Sequence, residues 1–385
     1  MNSAHPSLTG EHEAYRDTVR RFVEREILPH ASAWDEAGEF PRELYRKAAA
    51  AGLLGLGFPE EYGGTPADYF FRIVSAEEFA RAGTGGLSAS LFSHTIGAPP
   101  IAAVGSAELK GRVLPSILSG EKISALAITE PSGGSDVANL KTRALREGNE
   151  FVVNGEKTFI TSGMRADYYT VAVRTGGPGA AGVSLLLIER DRSGFTRAPL
   201  EKMGWWCSDT ASLHFDNVRV PAANLIGQEN AGFRAIMRNF NSERLSMAAG
   251  AVGFAQTCLD DAVDWARQRQ TFGKPLIGHQ VIRHKLVDMQ ARVHAARALL
   301  YDTAWKLQEA PREPAHIAQL AILKNVATDA MQFCADAAVQ TLGGAGFVRG
   351  TRAERIYREA KVMQIGGGST EIMKDLAARQ LGWEP

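Results

Sequence analysis

The sequence predicts an α+β protein in three blocks, helical, then β, then helical. Apolar residues recur at helical spacing up to about residue 121 and again from about residue 229. Between them, residues 122–228 break into short β-branched and aromatic runs separated by Gly, Pro and Asn clusters. The length of 385 residues also exceeds one ordinary core and calls for several packed domains. The expected divisions are 1–121, 122–228 and 229–385.

In the first block Tyr15, Val19, Phe22, Val23 and Ile27 fall on one helix face, and Leu28-Pro29 closes the segment. A second, short helix starts at Pro41, turns Leu44 and Ala48 inward and ends at Gly52. Further helices are expected around 67–81 and 100–118. In the middle block ISALAIT, EFVVNGEKTFIT, DYYTVAVRT, GVSLLLIER and ASLHFDNVRV read as strands of an antiparallel domain. Asn154-Gly155 reads as a hairpin turn, since both residues tolerate positive φ. Three long helices are expected over about 232–269, 279–309 and 315–342, interrupted by FGKPLIG and LGGAGF, then shorter ones over 350–361 and 370–381.

Composition removes several function classes. With 43 basic against 43 acidic residues there is no cationic excess to meet nucleic acid or an anionic membrane surface. Cys207, Cys258 and Cys334 are odd in number and scattered, which fits a reducing compartment. No apolar run reaches the roughly 20 residues of a membrane span, and MNSAHPSLTG lacks a targeting pattern. The expectation is a soluble, cytoplasmic protein. No metal is expected either: the histidines, including His279, His284 and His294, lack ligand spacing, and no CxxC occurs.

Three constellations could carry chemistry. On the helix predicted from Gly232, Ile236, Phe240, Met247, Gly250 and Phe254 form an apolar stripe with Glu243 in its middle. A carboxylate on an apolar face is desolvated, which raises its pKa toward that of a base usable near neutrality. The alternative is a buried Glu neutralised by Arg244 or Arg283. The second is TEPSGGSDVANLKT, where Ser132 to Ser135 can turn N–H groups and hydroxyls toward a phosphate or a flavin edge; a plain Gly-rich loop is the competing reading. The third is IGGGSTEIMK, three glycines running into a helix capped by Ser369 or Thr370, so that unpaired N–H groups face the loop. LGGAGF reads equally as a helix C-cap. His94 reads as a packed polar residue, and Trp205-Trp206 as core or interface.

Together AITEPSGGSDVANLKT, NGEKTFITSG, KMGWWCSDTASLHFDNVRVP, RQTFGKPLIGHQ, DAAVQTLGGAGF and IGGGSTEIMKDLAARQL resemble the acyl-CoA dehydrogenase family of flavoproteins, in family order over nearly the whole chain. The resemblance implies an N-terminal helical domain, a middle β-domain and a C-terminal four-helix bundle. It implies FAD, with Thr129 bonding the flavin ring and Gly134 and Ser135 on the cofactor, Ser135 also reaching the pantetheine of the substrate. Phe159 and Thr161 would lie against the isoalloxazine; the family often has Trp where Phe159 stands. Arg269, Thr271, Phe272 and His279, with Gln340, Gly343 and Gly344, match positions that bind the FAD of a neighbouring subunit. The implied assembly is therefore a homo-oligomer, usually a tetramer built as a dimer of dimers. Ser369 and Glu371 match positions near the FAD adenine and pyrophosphate, and Arg244 and Gly366 match positions at the substrate.

One departure stands out. Many members carry the catalytic base in the last motif, where this chain has Gly366-Gly367-Gly368-Ser369. A minority, resembling isovaleryl-CoA and long-chain acyl-CoA dehydrogenases, place it on the first long helix of the last domain in Glu-Arg-Leu, here Glu243-Arg244-Leu245. The resemblance thus implies α,β-dehydrogenation of an acyl-CoA to the trans-2-enoyl-CoA. Glu243 would be the base and flavin N5 the hydride acceptor, with the Gly367 N–H and a ribityl hydroxyl as oxyanion donors. Electrons would pass to an electron-transferring flavoprotein. An acyl-CoA oxidase or related oxygen-using flavin enzyme is one alternative, and a non-catalytic acyl-CoA- or flavin-binding protein is another. The glycines beside the base suggest a medium-to-long or methyl-branched acyl group.

Overall fold

The structure, a computed structural model, describes residues 6–384. The first block holds α1 (Gly10–Phe22), α2 (Ala31–Ala37), α3 (Glu43–Ala50), α4 (Tyr69–Ala80), α5 (Gly85–Leu91), α6 (His94–Gly97), α7 (Pro99–Val104) and α8 (Ala107–Leu118). α1 starts at Thr9 and continues as a π-helical turn over Val23–Ile27, so Val19, Phe22, Val23 and Ile27 all reach the core. The short helices α2, α5 and α6 carry too few turns to show periodicity in the sequence.

The middle block is one sheet: β1 (Ser124–Ala127), β2 (Arg143–Glu147), β3 (Glu150–Ile160), β4 (Tyr168–Arg174), β5 (Val183–Glu189), β6 (Phe195–Pro199) and β7 (Ala211–Pro221). The strands run in the order β1-β4-β2-β3-β7-β6, with β5 also on β4. Most pairings are antiparallel, but β1 lies parallel to β4, and β2 touches β4 in parallel at Arg143 and Arg174. The sheet is mixed because the chain between β1 and β4 contains the whole β2–β3 hairpin. Asn154-Gly155 is not a hairpin turn. β3 runs straight through it, paired with β2 on one edge and β7 on the other, with a bulge between Val153 and Gly155. A turn would have broken both ladders, and Gly155 at φ +144° absorbs the extra residue instead. The hairpin turn lies at Gly148, φ +60°.

The last block comprises α9 (Gly232–Gln268), the ribbon β8 (Gln270–Thr271) and β9 (Lys274–Pro275), α10 (Gln280–Glu309), α11 (Pro314–Leu342), α12 (Gly344–Phe347), α13 (Arg352–Ile365) and α14 (Thr370–Gln380). Its core is rich in alanine on α9 and α11, including Ala248, Ala255, Ala327 and Ala335, and small side chains let these helices approach closely. α9 binds all three blocks together. Near its start a Cβ on Gly232 would sit 2.7 Å from Ser184 of β5, and further along one on Gly253 would sit 2.7 Å from Ala80 of α4. Glu243 lies between these two contacts. No helix among the described residues is long and apolar enough to cross a membrane.

Candidate active site

α13 ends where the Gly366 N–H meets Val362 O at 2.8 Å, and the chain then turns through Gly367 (φ +66°) and Gly368 (φ +110°). These are left-handed values that favour glycine. Ser369 caps α14, its hydroxyl accepting from the Ile372 N–H at 3.4 Å. Glu371, in the first turn, is held below the usual carboxylate range by its own N–H and by Ser369.

Glu243 faces this loop. A Cβ on Gly367 would lie 2.7 Å from Met247 Sδ, whose space it would enter, and in ordinary contact with Glu243 Oε1 at 3.9 Å. A Cβ on Gly366 would meet Val362 O at 3.3 Å and Met247 Cε at 3.7 Å. Oε2 of Glu243 is enclosed and has no hydrogen-bond partner among the described residues. Burial raises the carboxyl to about 7, against the opposing charges of Arg244 and Lys324. Neither arginine weighed as its neutralising partner is bonded to it. Arg244 spends Nε on Gly367 O at 3.0 Å and Nη1 on Asn241, and Arg283 caps the carbonyls of Ile277 and Gly278.

The loop after β1 makes a second region. Glu130 and Gly133 close a tight turn by reciprocal backbone bonds, leaving Gly134 and Ser135 exposed. A Cβ on Gly134 would sit 3.2 Å from Thr129 Cγ2, and Thr129 O accepts from the Thr158 N–H at 2.9 Å. That bond ties the loop to the end of β3, where the register breaks between Lys157 and Ile160. There Phe159 stands at φ +60° with 69% of its surface exposed, and Ser162 follows at φ +58°. Thr161 lies between these two left-handed residues. Non-glycine residues in this region cost on the order of 1–2 kcal/mol each and concentrate at functional sites.

The third group is separate. Thr271 Oγ1 lies 3.2 Å from His279 Nε2, and Phe272 meets the His279 ring edge-on at 6.0 Å while 96% exposed. Arg269 is exposed at the end of α9, as are Gln340, Gly343 and Gly344 at the end of α11. Arg269, at the end of α9, lies 26 residues beyond Glu243 on that helix, about 39 Å along its axis.

Sequence reasoning missed Lys324 and Asn325 on α11. Lys324 Nζ donates to Gly368 O at 2.6 Å and Asn325 Nδ2 to Thr370 O at 3.0 Å. A lone lysine in LAILKNVATDAM was the available signal. It also passed over the buried pair Lys157–Glu130, 2.8 Å apart, although both lie in quoted motifs. His94 is a packed residue as expected, bonded to Leu54 O at 2.8 Å and lowered by burial to about 4. Trp206 lies under Arg358 and Arg349, at 3.7 and 4.4 Å from its ring centroid.

Three family models match in succession: the acyl-CoA dehydrogenase N-terminal domain over residues 9–121, the middle domain over 125–218 and the C-terminal domain over 230–382. The chain belongs to the acyl-CoA dehydrogenase family. It is 39% identical to an acyl-CoA dehydrogenase of Bacillus subtilis, covering 97% of this chain and 98% of that one. It is 36% identical to the mitochondrial long-chain specific acyl-CoA dehydrogenase of Sus scrofa, covering 97% and 87%. The crystal structure of acyl-CoA dehydrogenase from Geobacillus kaustophilus superposes with a TM-score of 0.93 at 36% identity, covering 98% and 100%. Acyl-CoA dehydrogenases are flavoproteins, and this member is an oxidoreductase of that type.

Proposed function

We propose that this acyl-CoA dehydrogenase uses Glu243 as the base that removes the α-proton of an acyl-CoA thioester. The observation that carries the reading is the unpartnered Oε2 of Glu243 beside a glycine at 367. A carboxyl held near 7 accepts a proton with little driving-force penalty near neutrality, which a carboxylate in water does not. The Gly367 N–H supplies a donor for the thioester oxygen as negative charge develops there. Met247, on the wall beside Gly366 and Gly367, excludes water from the reacting carbons.

The residues present fit FAD. Phe159 offers an exposed ring held in a strained conformation next to Thr161, and Thr129, Gly134 and Ser135 stand on a loop tethered to the same strand. Bound there, FAD supplies the acceptor for the β-hydride. Ser369 and Glu371 border the adenine and pyrophosphate portion. Arg269, Thr271, Phe272, His279, Gln340, Gly343 and Gly344 serve the cofactor of a second subunit, which their exposure away from Glu243 supports. The working assembly is then a homotetramer, and the electron acceptor an electron-transferring flavoprotein.

We assign a medium-to-long or methyl-branched acyl group, because Gly366 and Gly367 add no side chain beside Glu243. Anaerobic titration with straight and branched acyl-CoAs, following flavin absorbance, tests cofactor and substrate together. Glu243→Gln should bind FAD and acyl-CoA yet bleach the flavin about 10²–10⁴-fold more slowly. Rapid bleaching by that variant would overturn the assignment.

A further inference from the structure

The glycine loop is held by two cationic side chains from two helices. Arg244 of α9 grips Gly367 O, and Lys324 of α11 grips Gly368 O at 2.6 Å. Lys324 is wholly buried, with 0% of its surface exposed. It has no ion-pair partner within 4.0 Å among the described residues. Withdrawing an ammonium from water costs several kcal/mol, and one carbonyl returns only part of that. A neutral amide could tether the loop at lower cost. The positive charge therefore needs a reason beyond the tether, and the anionic form of Glu243 provides one.

We propose that Lys324 is a positioning residue for the reaction: it fixes the Gly368 carbonyl, and so the peptide units that aim the Gly367 N–H, while its charge stabilises the ionised Glu243 carboxylate. The inference rests on Glu243 being the base.

The charges and the backbone geometry agree with it. The charged groups acting on Glu243 are Arg244 from its own helix and Lys324 from α11, both lowering its pKa against burial. The loop, with Gly366, Gly367 and Gly368, adds no charge from its side. Lys324 is lowered to about 8, by burial first and by Arg244 second, with Glu243 opposing. An ionised Glu243 opposes that lowering and so favours the protonated form of Lys324. Arg244 pins the Gly367–Gly368 peptide and Lys324 the Gly368–Ser369 peptide, so two successive units following the oxyanion donor are fixed.

The test compares the native holoenzyme with Lys324→Gln, which keeps an N–H donor without charge, and Lys324→Met, which keeps neither. Two readouts are followed against pH. One is the protonated-carboxyl infrared band that Glu243→Gln abolishes. The other is anaerobic flavin bleaching by the acyl-CoA that reduces the native enzyme fastest. In both variants the band midpoint and the acidic limb should move together to higher pH. The plateau rate should fall about 10–100-fold in Lys324→Met, as for a displaced reacting geometry, and less in Lys324→Gln. Unchanged midpoints in folded, FAD-containing variants overturn the proposal, even if both are slow. Should Lys324→Met not fold, Lys324→Gln carries the test. Rapid bleaching by Glu243→Gln would sink the base assignment, whereas inactive Glu243→Gln with unmoved Lys324 midpoints sinks this inference alone.

Discussion

Glu130 and Glu243 both leave water beside glycine-rich loops, and they meet opposite surroundings. Glu130 accepts from the N–H groups of Lys141 at 2.5 Å and Thr142 at 2.8 Å, and from Lys157 Nζ at 2.8 Å. Burial alone would raise its pKa, yet Lys157 and these donors bring it below the ordinary carboxylate range. Glu243 is enclosed without such donors, and burial wins, to about 7. Desolvation is common to the pair, so the number of aligned donors decides the sign. Glu359 adds a third case. Gly85 N–H donates to it at 2.6 Å, but burial and nearby Asp35 still lift it to about 8. A raised pKa alone therefore does not mark a base; the proposal for Glu243 rests instead on its unpartnered Oε2 beside Gly367.

Breaking the satisfied member should cost the most stability. Lys157→Met leaves Glu130 buried without its cation and should destabilise the fold by about 3–5 kcal/mol. Chemical denaturation measures this, and a loss near zero would mean that the loop after β1 does not depend on the pair. On the proposed FAD site, FAD content should fall in parallel, because the loop carries Thr129 and Ser135.

The contrast also predicts pH behaviour. On the proposed mechanism the rate of anaerobic bleaching should rise about tenfold per pH unit up to about 7 and then level, since Glu243 would act as a base only when ionised. Stability should run the other way. Glu243 binds its proton more tightly folded than unfolded, so its contribution is full below the unfolded carboxyl pKa and is lost as pH rises through about 7. Thermal melts from pH 5 to 8 should show a steeper decline for the native protein than for Glu243→Gln. Parallel declines would place the proton elsewhere.

The smallest effect probes the space between Glu243 and the loop. Gly367→Ala puts a Cβ at φ +66° and 2.7 Å from Met247 Sδ. Backbone strain should cost about 1–2 kcal/mol, while the flexible Met247 moves aside. Additional Met247→Ala should leave that loss largely in place. Full recovery of stability would show that crowding, not backbone strain, makes glycine necessary.

Much of this arrangement is legible in the chain. Glu243 on an apolar stripe, the capped glycine run and the alternation of helical and β blocks all follow local periodicity, and the structure bears out the three-block fold. Asn154-Gly155 shows where local reading fails, because a turn-forming pair was overruled by strands pairing on both its edges. β2, β6 and the short α2, α5 and α6 carried too few residues for a period.

The sequence by itself determined the order of the blocks, the family and the absence of a carboxylate at 367, since each is written in contiguous residues. Only the tertiary structure decided what surrounds the loop. Met247, Arg244 and Lys324 converge on Gly366–Gly368 from helix positions up to 123 residues away along the chain. Whether a buried carboxylate is satisfied depends on donors brought from distant segments, and spacing along the chain contains no record of them.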